Sequence, residues 1–182
     1  MMRNYLFILI TCLTIHNLDA QSYSSRSGTI SFYSDAPMEK IEAHNKQLNC
    51  RLNTSTGDMN FAVLIKAFQF QKQLMHQHFN DDYLESKIYP KATFQGQIMN
   101  INKFDLSKDG NYPVTVSGTL NLHGVSKRIM EKGTLRVIGG NIAASSKFPI
   151  SLSDYDVKIP IILKDKIAKT VLVEINVELK PE

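Results

Sequence analysis

The residues best equipped for chemistry are histidines and a lone cysteine, and their spacing does not assemble a reaction centre. The sequence holds five histidines, of which His76 and His78 are two positions apart. On a helix, side chains two residues apart point roughly 200° away from each other, so this pair cannot readily chelate one ion. No Asp, Glu or Cys stands at a spacing that would complete a metal site. The sequence therefore predicts no metal, no cofactor and no catalytic residue, and it indicates a protein that is not an enzyme.

Two further residues, His123 and Cys50, have side chains that can take part in catalysis, but their surroundings in the sequence do not indicate a catalytic role. His123 precedes Gly124 at the end of an alternating segment, a position that favours a turn residue over a general base. Cys50 lacks the surroundings typical of a nucleophile, and the only other cysteine, Cys12, lies in the N-terminal segment. We expect the Cys50 thiol to be buried, with an intermolecular disulfide as the alternative. Without an internal disulfide, the core must stabilise the fold.

The N-terminal segment has the pattern of a secretory signal peptide over residues 1–20. Arg3 precedes an apolar run from Tyr5 to Ile15, and the small residue Ala20 stands where cleavage is expected. The run falls short of the ~20 residues that a membrane-spanning helix needs. We expect export to the periplasm or the outside of the cell, which this signal does not distinguish. A buried N-terminal helix is the alternative.

The rest of the chain is predicted to be one domain. Residues 21–28 are polar and Ser-rich and predict a flexible leader, and residues 29–182 predict a single folded domain without an integral membrane segment. The net charge of +4 is modest, and no run of Lys or Arg is dense enough to indicate nucleic acid or an anionic membrane as a partner. We therefore expect a solvated surface.

Alternation of apolar and polar residues predicts strands through most of this domain. The clearest strand is residues 171–179, and the strongest hairpin signal is Asp109-Gly110-Asn111, with further turns at Gly57 and Gly139-Gly140. The pattern predicts eight or nine antiparallel strands and a mainly all-β fold. A closed barrel and a β-sandwich both fit it. A barrel of ~8 strands can be filled by side chains or can hold one small apolar ligand.

One segment breaks the strand pattern. Residues 69–82 contain good helix formers, with Phe70, Leu74 and His78 at four-residue steps, and Tyr89-Pro90 closes the segment. The sequence therefore predicts a single short helical insertion between strands.

Three segments carry motifs that are similar to those of one known protein family. Residues 83–94 (YLESKIYPKATF) are similar to the family's short helix, Tyr-Pro corner and returning strand. Residues 116–127 (VSGTLNLHGVSK) are similar to its G-x-L-x-L-H-G-V-[ST]-K strand and turn, and residues 148–155 (FPISLSDY) to a late strand that ends in a polar turn. On these segments the chain resembles the YceI-like family of exported lipid-binding and polyisoprenoid-binding proteins. The family's longer first strands are replaced here by residues 38–53.

The resemblance implies an antiparallel lipocalin-like β-barrel of about eight strands with one short helical insertion, whose interior holds a long-chain lipid or isoprenoid. The resulting hypothesis is an exported, non-enzymatic binder or carrier of a long apolar lipid, isoprenoid or fatty-acid-like. The alternative is a structural or stress-related envelope protein with a filled barrel that acts through protein contacts. A homodimer is left open. The candidate ligand-binding residues are the inward-facing positions Phe61, Val63, Phe94, Ile98, Val116, Leu120, Leu122 and Phe148.

Overall fold

The computed structural model describes residues 22–182, so the signal peptide expected over residues 1–20 lies outside the described residues. Nine strands account for most of this part of the chain. They are β1 (Ser22–Asp35), β2 (Lys40–Asn53), β3 (Asp58–Leu64), β4 (Gln69–Phe70), β5 (Lys91–Ile98), β6 (Gly110–Leu122), β7 (Val125–Ile138), β8 (Asn141–Ser151) and β9 (Thr170–Pro181).

Eight of the strands form a closed antiparallel barrel. Neighbouring strands pair in the order β1-β9-β8-β7-β6-β5-β3-β2, and pairing of β2 with β1 completes the ring. The two-residue strand β4 pairs with β2 beside this ring. Closure leaves no unpaired edge along the main strands, which removes the hazard of edge-to-edge aggregation. The structure thus decides between the barrel and the sandwich in favour of the barrel.

The first strand begins earlier than the sequence predicts. Residues 21–28 are predicted to be a flexible leader, yet Ser22 to Gly28 form the first half of β1. Ser22 pairs with Asn53 on β2, and Tyr23 pairs with Pro181 on β9. The serines show no apolar alternation because backbone hydrogen bonds to β2, and at the start of the segment to β9, contribute much of what holds it in place.

The second strand and one connection also differ from the sequence prediction. Two short strands are expected over residues 38–44 and 49–53, whereas β2 runs without a break from Lys40 to Asn53. Asp109-Gly110-Asn111 is not a two-residue hairpin, because β5 ends at Ile98 and a loop with a 3-10 turn intervenes. The Asp109 carboxylate accepts a hydrogen bond from the Gly139 amide at 2.9 Å, so it ties this loop to the next turn.

The other turn predictions are confirmed. Gly139 and Gly140 link β7 to β8 with φ angles of 54° and 78°, the left-handed pair that a tight hairpin needs. His123 and Gly124 link β6 to β7 in the same way, with φ angles of 51° and 75°. His123 is therefore a turn residue, as the sequence indicates.

The helical insertion is present but is shorter than predicted. It contains α1 (Gln73–His78), which continues as one wide π turn over Phe79–Tyr83, whereas Gln69–Phe70 is strand β4. Among residues 22–182, no helix is both long and apolar enough to cross a membrane.

One half of the barrel interior is solid. Leu52, Leu135 and Leu179 are almost completely buried there, and Cys50 lies among them. We call this cluster the filled half. Its buried members are Cys50, Leu52, Met59, Ile98, Ile101, Val114, Leu135, Val137, Ile142, Ala144, Val177 and Leu179.

Candidate functional site

The other half of the interior contains an open cavity of about 630 Å³. We call it the hollow half. Its walls are inward-facing apolar side chains of the strands, and its remaining boundary comes from the helical insertion and from residues 152–167. The wall residues are Ile30, Phe32, Val63, Ala92, Leu120, Leu122, Phe148, Ile150, Val171 and Val173.

An aromatic cluster holds the insertion against the barrel at this cavity. Phe32 on β1 stacks on Phe79 of the insertion with ring centroids 5.5 Å apart, and Phe70 lies 5.0 Å from Phe79. Phe68 completes the group, 5.6 Å from both Phe32 and Phe79. Aromatic pairs at these separations stabilise beyond the area that they bury. The rings therefore fix the position of the insertion and also supply apolar surface to the cavity.

Half of the residues predicted as ligand-binding line the cavity. Val63 on β3, Leu120 and Leu122 on β6, and Phe148 on β8 all belong to its wall. Phe61 lies between the two halves, because it packs against the filled cluster and also against the cluster around Phe68.

The other predicted residues lie away from the cavity. Ile98 is buried within the filled half, and Val116 packs against the same cluster. Phe94 lies over two glycines that face each other on β5 and β6. A Cβ at Gly96 or Gly118 would come within 2.5 Å or 2.6 Å of the Phe94 ring. The absence of side chains at these glycines makes room for the ring.

Sequence reasoning missed the residues that close the cavity. Phe79 and Leu84 from the insertion, and Leu152 and Val157 after β8, all line it. The apolar spacing of the insertion indicates that one face is buried but does not indicate against what. Residues 156–169 alternate too irregularly to predict any element, although their apolar content is a signal that they pack on something.

The mouth of the cavity is polar. Lys72 pairs with Glu39 at 3.3 Å, and His78 pairs with Asp82 at 2.6 Å. Lys158 also reaches the lining. Desolvation raises the pKa of the nearby Tyr83 hydroxyl, and the Asp82 carboxylate raises it further. Apolar walls beneath a polar rim are suited to a ligand with a long apolar part and one polar end.

His123 joins the three segments that carry the family resemblance. Its Nε2 lies 2.8 Å from Oε2 of Glu85, and its Nδ1 lies 3.0 Å from the carbonyl oxygen of Tyr155. The Tyr89 ring packs edge-on against the imidazole at 4.8 Å. Carbonyl and carboxylate oxygens both accept hydrogen bonds, so each ring nitrogen of His123 faces an acceptor. With both nitrogens engaged, His123 is a structural joint.

The remaining candidates for chemistry have structural partners too. His76 Nε2 lies 3.2 Å from the Lys66 carbonyl oxygen, and Cys50 is buried in the filled half. Burial raises the pKa of the Cys50 thiol to about 12, which keeps it protonated and a poor nucleophile. Within residues 22–182, no group of three or more His, Cys, Asp or Glu side chains is placed to hold a metal ion.

Comparison with known proteins agrees with this architecture. The fold is a closed eight-stranded antiparallel β-barrel with one short helix. The sequence profile of the YceI-like domain matches residues 20–179. The chain therefore belongs to the YceI-like family. No curated protein matches the sequence significantly.

Solved structures share the fold at low sequence identity. A polyisoprenoid-binding domain from Saccharophagus degradans, implicated in plant cell wall breakdown, superposes with a TM-score of 0.78 at 17% identity, covering 90% of this chain and 99% of that one. BcnA of Burkholderia cenocepacia gives a TM-score of 0.68 at 17% identity, covering 84% and 96%. A Campylobacter jejuni YceI protein gives 0.55 at 19% identity, with both chains fully covered.

Proposed function

We propose that the protein is an exported, non-enzymatic binder or carrier of a long-chain apolar lipid, held in the hollow half of the barrel. The cavity of about 630 Å³ is the observation that carries this proposal, because its wall is almost entirely aliphatic and aromatic. Family membership supports it, and one structural relative is described as a polyisoprenoid-binding domain. An isoprenoid or a fatty-acid-like chain fits this chemistry.

The hydrophobic effect alone supplies enough affinity for such a ligand. A cavity of this volume lies within the usual range for small-molecule sites, about 300–1,000 Å³. Burial of each methylene stabilises the complex by about 0.8 kcal/mol, so about ten methylenes contribute about 8 kcal/mol. Association and ordering of the chain offset part of that gain. Binding therefore needs few specific polar contacts, in keeping with the apolar wall.

The proposed location is supported by the sequence. The signal-peptide pattern of residues 1–20 supports export to the periplasm or the cell exterior. Within residues 22–182 the one thiol, Cys50, is buried and forms no disulfide, and this is compatible with either location because burial shields it from oxidation. The filled-barrel alternative, a structural envelope protein, needs a solid interior, and the hollow half argues against it.

The proposal is tested by narrowing the cavity without disturbing the fold. Leu120→Trp places an indole in the hollow half, so we expect a folded protein that no longer takes up a fluorescent polyprenyl or fatty-acid probe. Ile98→Trp is the matched control, because the same enlargement in the filled half overpacks the core and destabilises it by about 1–3 kcal/mol. Probe fluorescence and thermal unfolding distinguish the two variants.

Native mass spectrometry of protein purified without detergent, followed by organic extraction, provides a second measurement. We expect a co-purified lipid with the wild type and none with Leu120→Trp. A wild-type protein that carries no lipid and takes up neither probe would overturn the carrier proposal.

A further inference from the structure

Two exposed isoleucines stand beside the mouth of the cavity. Ile161 and Ile162 are 85% and 87% exposed, more than any other large hydrophobic residue described. They lie on a 3-10 turn, Ile161–Leu163, whose other side faces inward, because Pro160 and Leu163 line the cavity. The same turn therefore closes the cavity with one side and presents bare apolar surface to solvent with the other.

Two other elements add exposed apolar side chains at this end of the barrel. Met38, in the turn between β1 and β2, is 70% exposed, and its backbone amide donates to the Asp165 carbonyl at 2.9 Å. Leu74 of α1 is 62% exposed and reaches the cavity lining. Single exposed apolar residues are ordinary, but a group around one opening indicates an interaction site.

Positive charge accompanies this apolar group. Residues 156–169 contain four lysines and two aspartates. Within residues 22–182, the ammonium groups of Lys158, Lys164, Lys166 and Lys169 lie outside ion-pairing distance of any carboxylate, although seven other lysine or arginine side chains form ion pairs elsewhere in the fold. These lysines are thus free to meet an anionic partner.

We propose that this mouth surface docks on an anionic phospholipid bilayer. Ile161, Ile162 and Met38 enter the boundary between head groups and acyl chains, and the four lysines contact the phosphates. A protein partner fits less well, because lysine is depleted at protein interfaces. The lysines are interleaved with apolar residues, so no dense basic run marks the site in the sequence. Docking places the cavity opening against the source or destination of a lipid.

This inference goes beyond the proposed function, because it concerns the outer surface and not the occupant of the cavity. The chosen substitutions leave the cavity lining intact. Ile161, Ile162, Lys164 and Lys169 do not line the cavity, so uptake of a lipid probe from solution without vesicles reports on the proposed function alone. Every variant carries the same N-terminal segment, so its apolar residues contribute equally to all measurements.

The test is co-sedimentation of the purified protein with vesicles of equal parts phosphatidylglycerol and phosphatidylcholine. We expect the double variant Ile161→Asp/Ile162→Asp to partition at least tenfold more weakly than the wild type. Ile138→Asp is the matched control, since Ile138 is exposed at the β7–β8 turn beside the filled half, and it should bind like the wild type.

Charge-reversal variants measure the electrostatic contribution to vesicle binding separately from the apolar contribution. Near an anionic surface each lysine strengthens binding by about fivefold, so Lys164→Glu/Lys169→Glu should weaken it at least tenfold. Lys103→Glu/Lys180→Glu, at the filled half, should bind like the wild type. Added salt should weaken wild-type binding. Equal binding by the mouth variants and their controls, or equal wild-type binding to pure phosphatidylcholine vesicles, would overturn the proposal while probe uptake continues unchanged.

Discussion

At the residue scale, Cys50 shows how the environment determines the chemistry of a side chain. Its thiol packs among the aliphatic residues of the filled half, where a thiolate would lose its hydration without gaining a cation. Burial accordingly raises its pKa from 9.0 to about 12. Burial thereby keeps the thiol of Cys50 inert, which is compatible with the proposed export of the protein.

This pKa has a consequence for alkaline stability. Between pH 9 and pH 12 the unfolded chain releases the thiol proton while the folded protein retains it, so the free energy of unfolding falls as pH rises. The expected slope approaches about 1.4 kcal/mol per pH unit and is absent below pH 9. Urea unfolding of the wild type and of Cys50→Ala across this range isolates the effect, because other titrating groups are common to both. Parallel curves for the two proteins would contradict the burial of the thiol.

At the element scale, two groups of side-chain contacts help to hold the helical insertion against the barrel. The aromatic cluster around Phe79 fixes one part, and the pair of Glu85 with His123 fixes the other. The His123 side chain is only 9% exposed, so the imidazole is shielded from water, whereas the Glu85 side chain is 43% exposed. The insertion closes one side of the cavity, so these attachments determine how securely the cavity is closed.

Removal of the His123 side chain should loosen the insertion selectively. His123→Ala leaves the Glu85 carboxylate and the Tyr155 carbonyl without their partner, at an expected cost of about 1–3 kcal/mol. Hydrogen exchange should accelerate in residues 69–90 and stay slow in the filled half. His78→Ala is the control, because its pair with Asp82 is exposed and contributes about 0–1 kcal/mol. Uniform acceleration across the barrel would contradict a local attachment.

The elements themselves were predictable to different degrees. Residues 171–179 alternate cleanly because every second side chain is buried, and β9 is where the sequence places it. The first half of β1 has no such alternation, since pairing with β2 and β9 holds it, and a sequence read locally contains no sign of distant partners. The hairpin predicted at Asp109-Gly110 is wrong for the same reason. The Asp109 carboxylate accepts a hydrogen bond from the amide of Gly139, which is distant in the sequence.

At the scale of the whole molecule, the two halves of the interior are packed differently: one is filled by side chains and the other contains the cavity. The inward face of β6 shows what sequence alternation cannot predict. Val116 and Leu120 occupy equivalent positions in the alternation, yet Val116 packs in the filled half and Leu120 lines the cavity. Alternation predicts which side chains point inward but not what lies opposite them. Four of the eight predicted ligand-binding residues therefore lie outside the lining of the cavity.

The division predicts an uneven response to core truncation. Leu135→Ala, in the filled half, should destabilise the fold by about 2–5 kcal/mol, because the surrounding side chains cannot close the space. Leu122→Ala, at the cavity wall, should cost less than half as much, since Leu122 already lacks packing atoms on its cavity side. Chemical denaturation measures both. Equal losses would indicate that the two halves are packed alike.

The join between β1 and β9 also determines when the cavity comes into existence. Tyr23 pairs with Pro181 and Phe32 with Val173, so the ring closes between segments at opposite ends of the described chain. Contacts of such long sequence separation form late and slowly in folding. Val171 and Val173 of β9 are part of the cavity wall, so every earlier stage has a gap there. We therefore expect a ligand of the hollow half to be taken up after the barrel has closed, and not while the chain is folding.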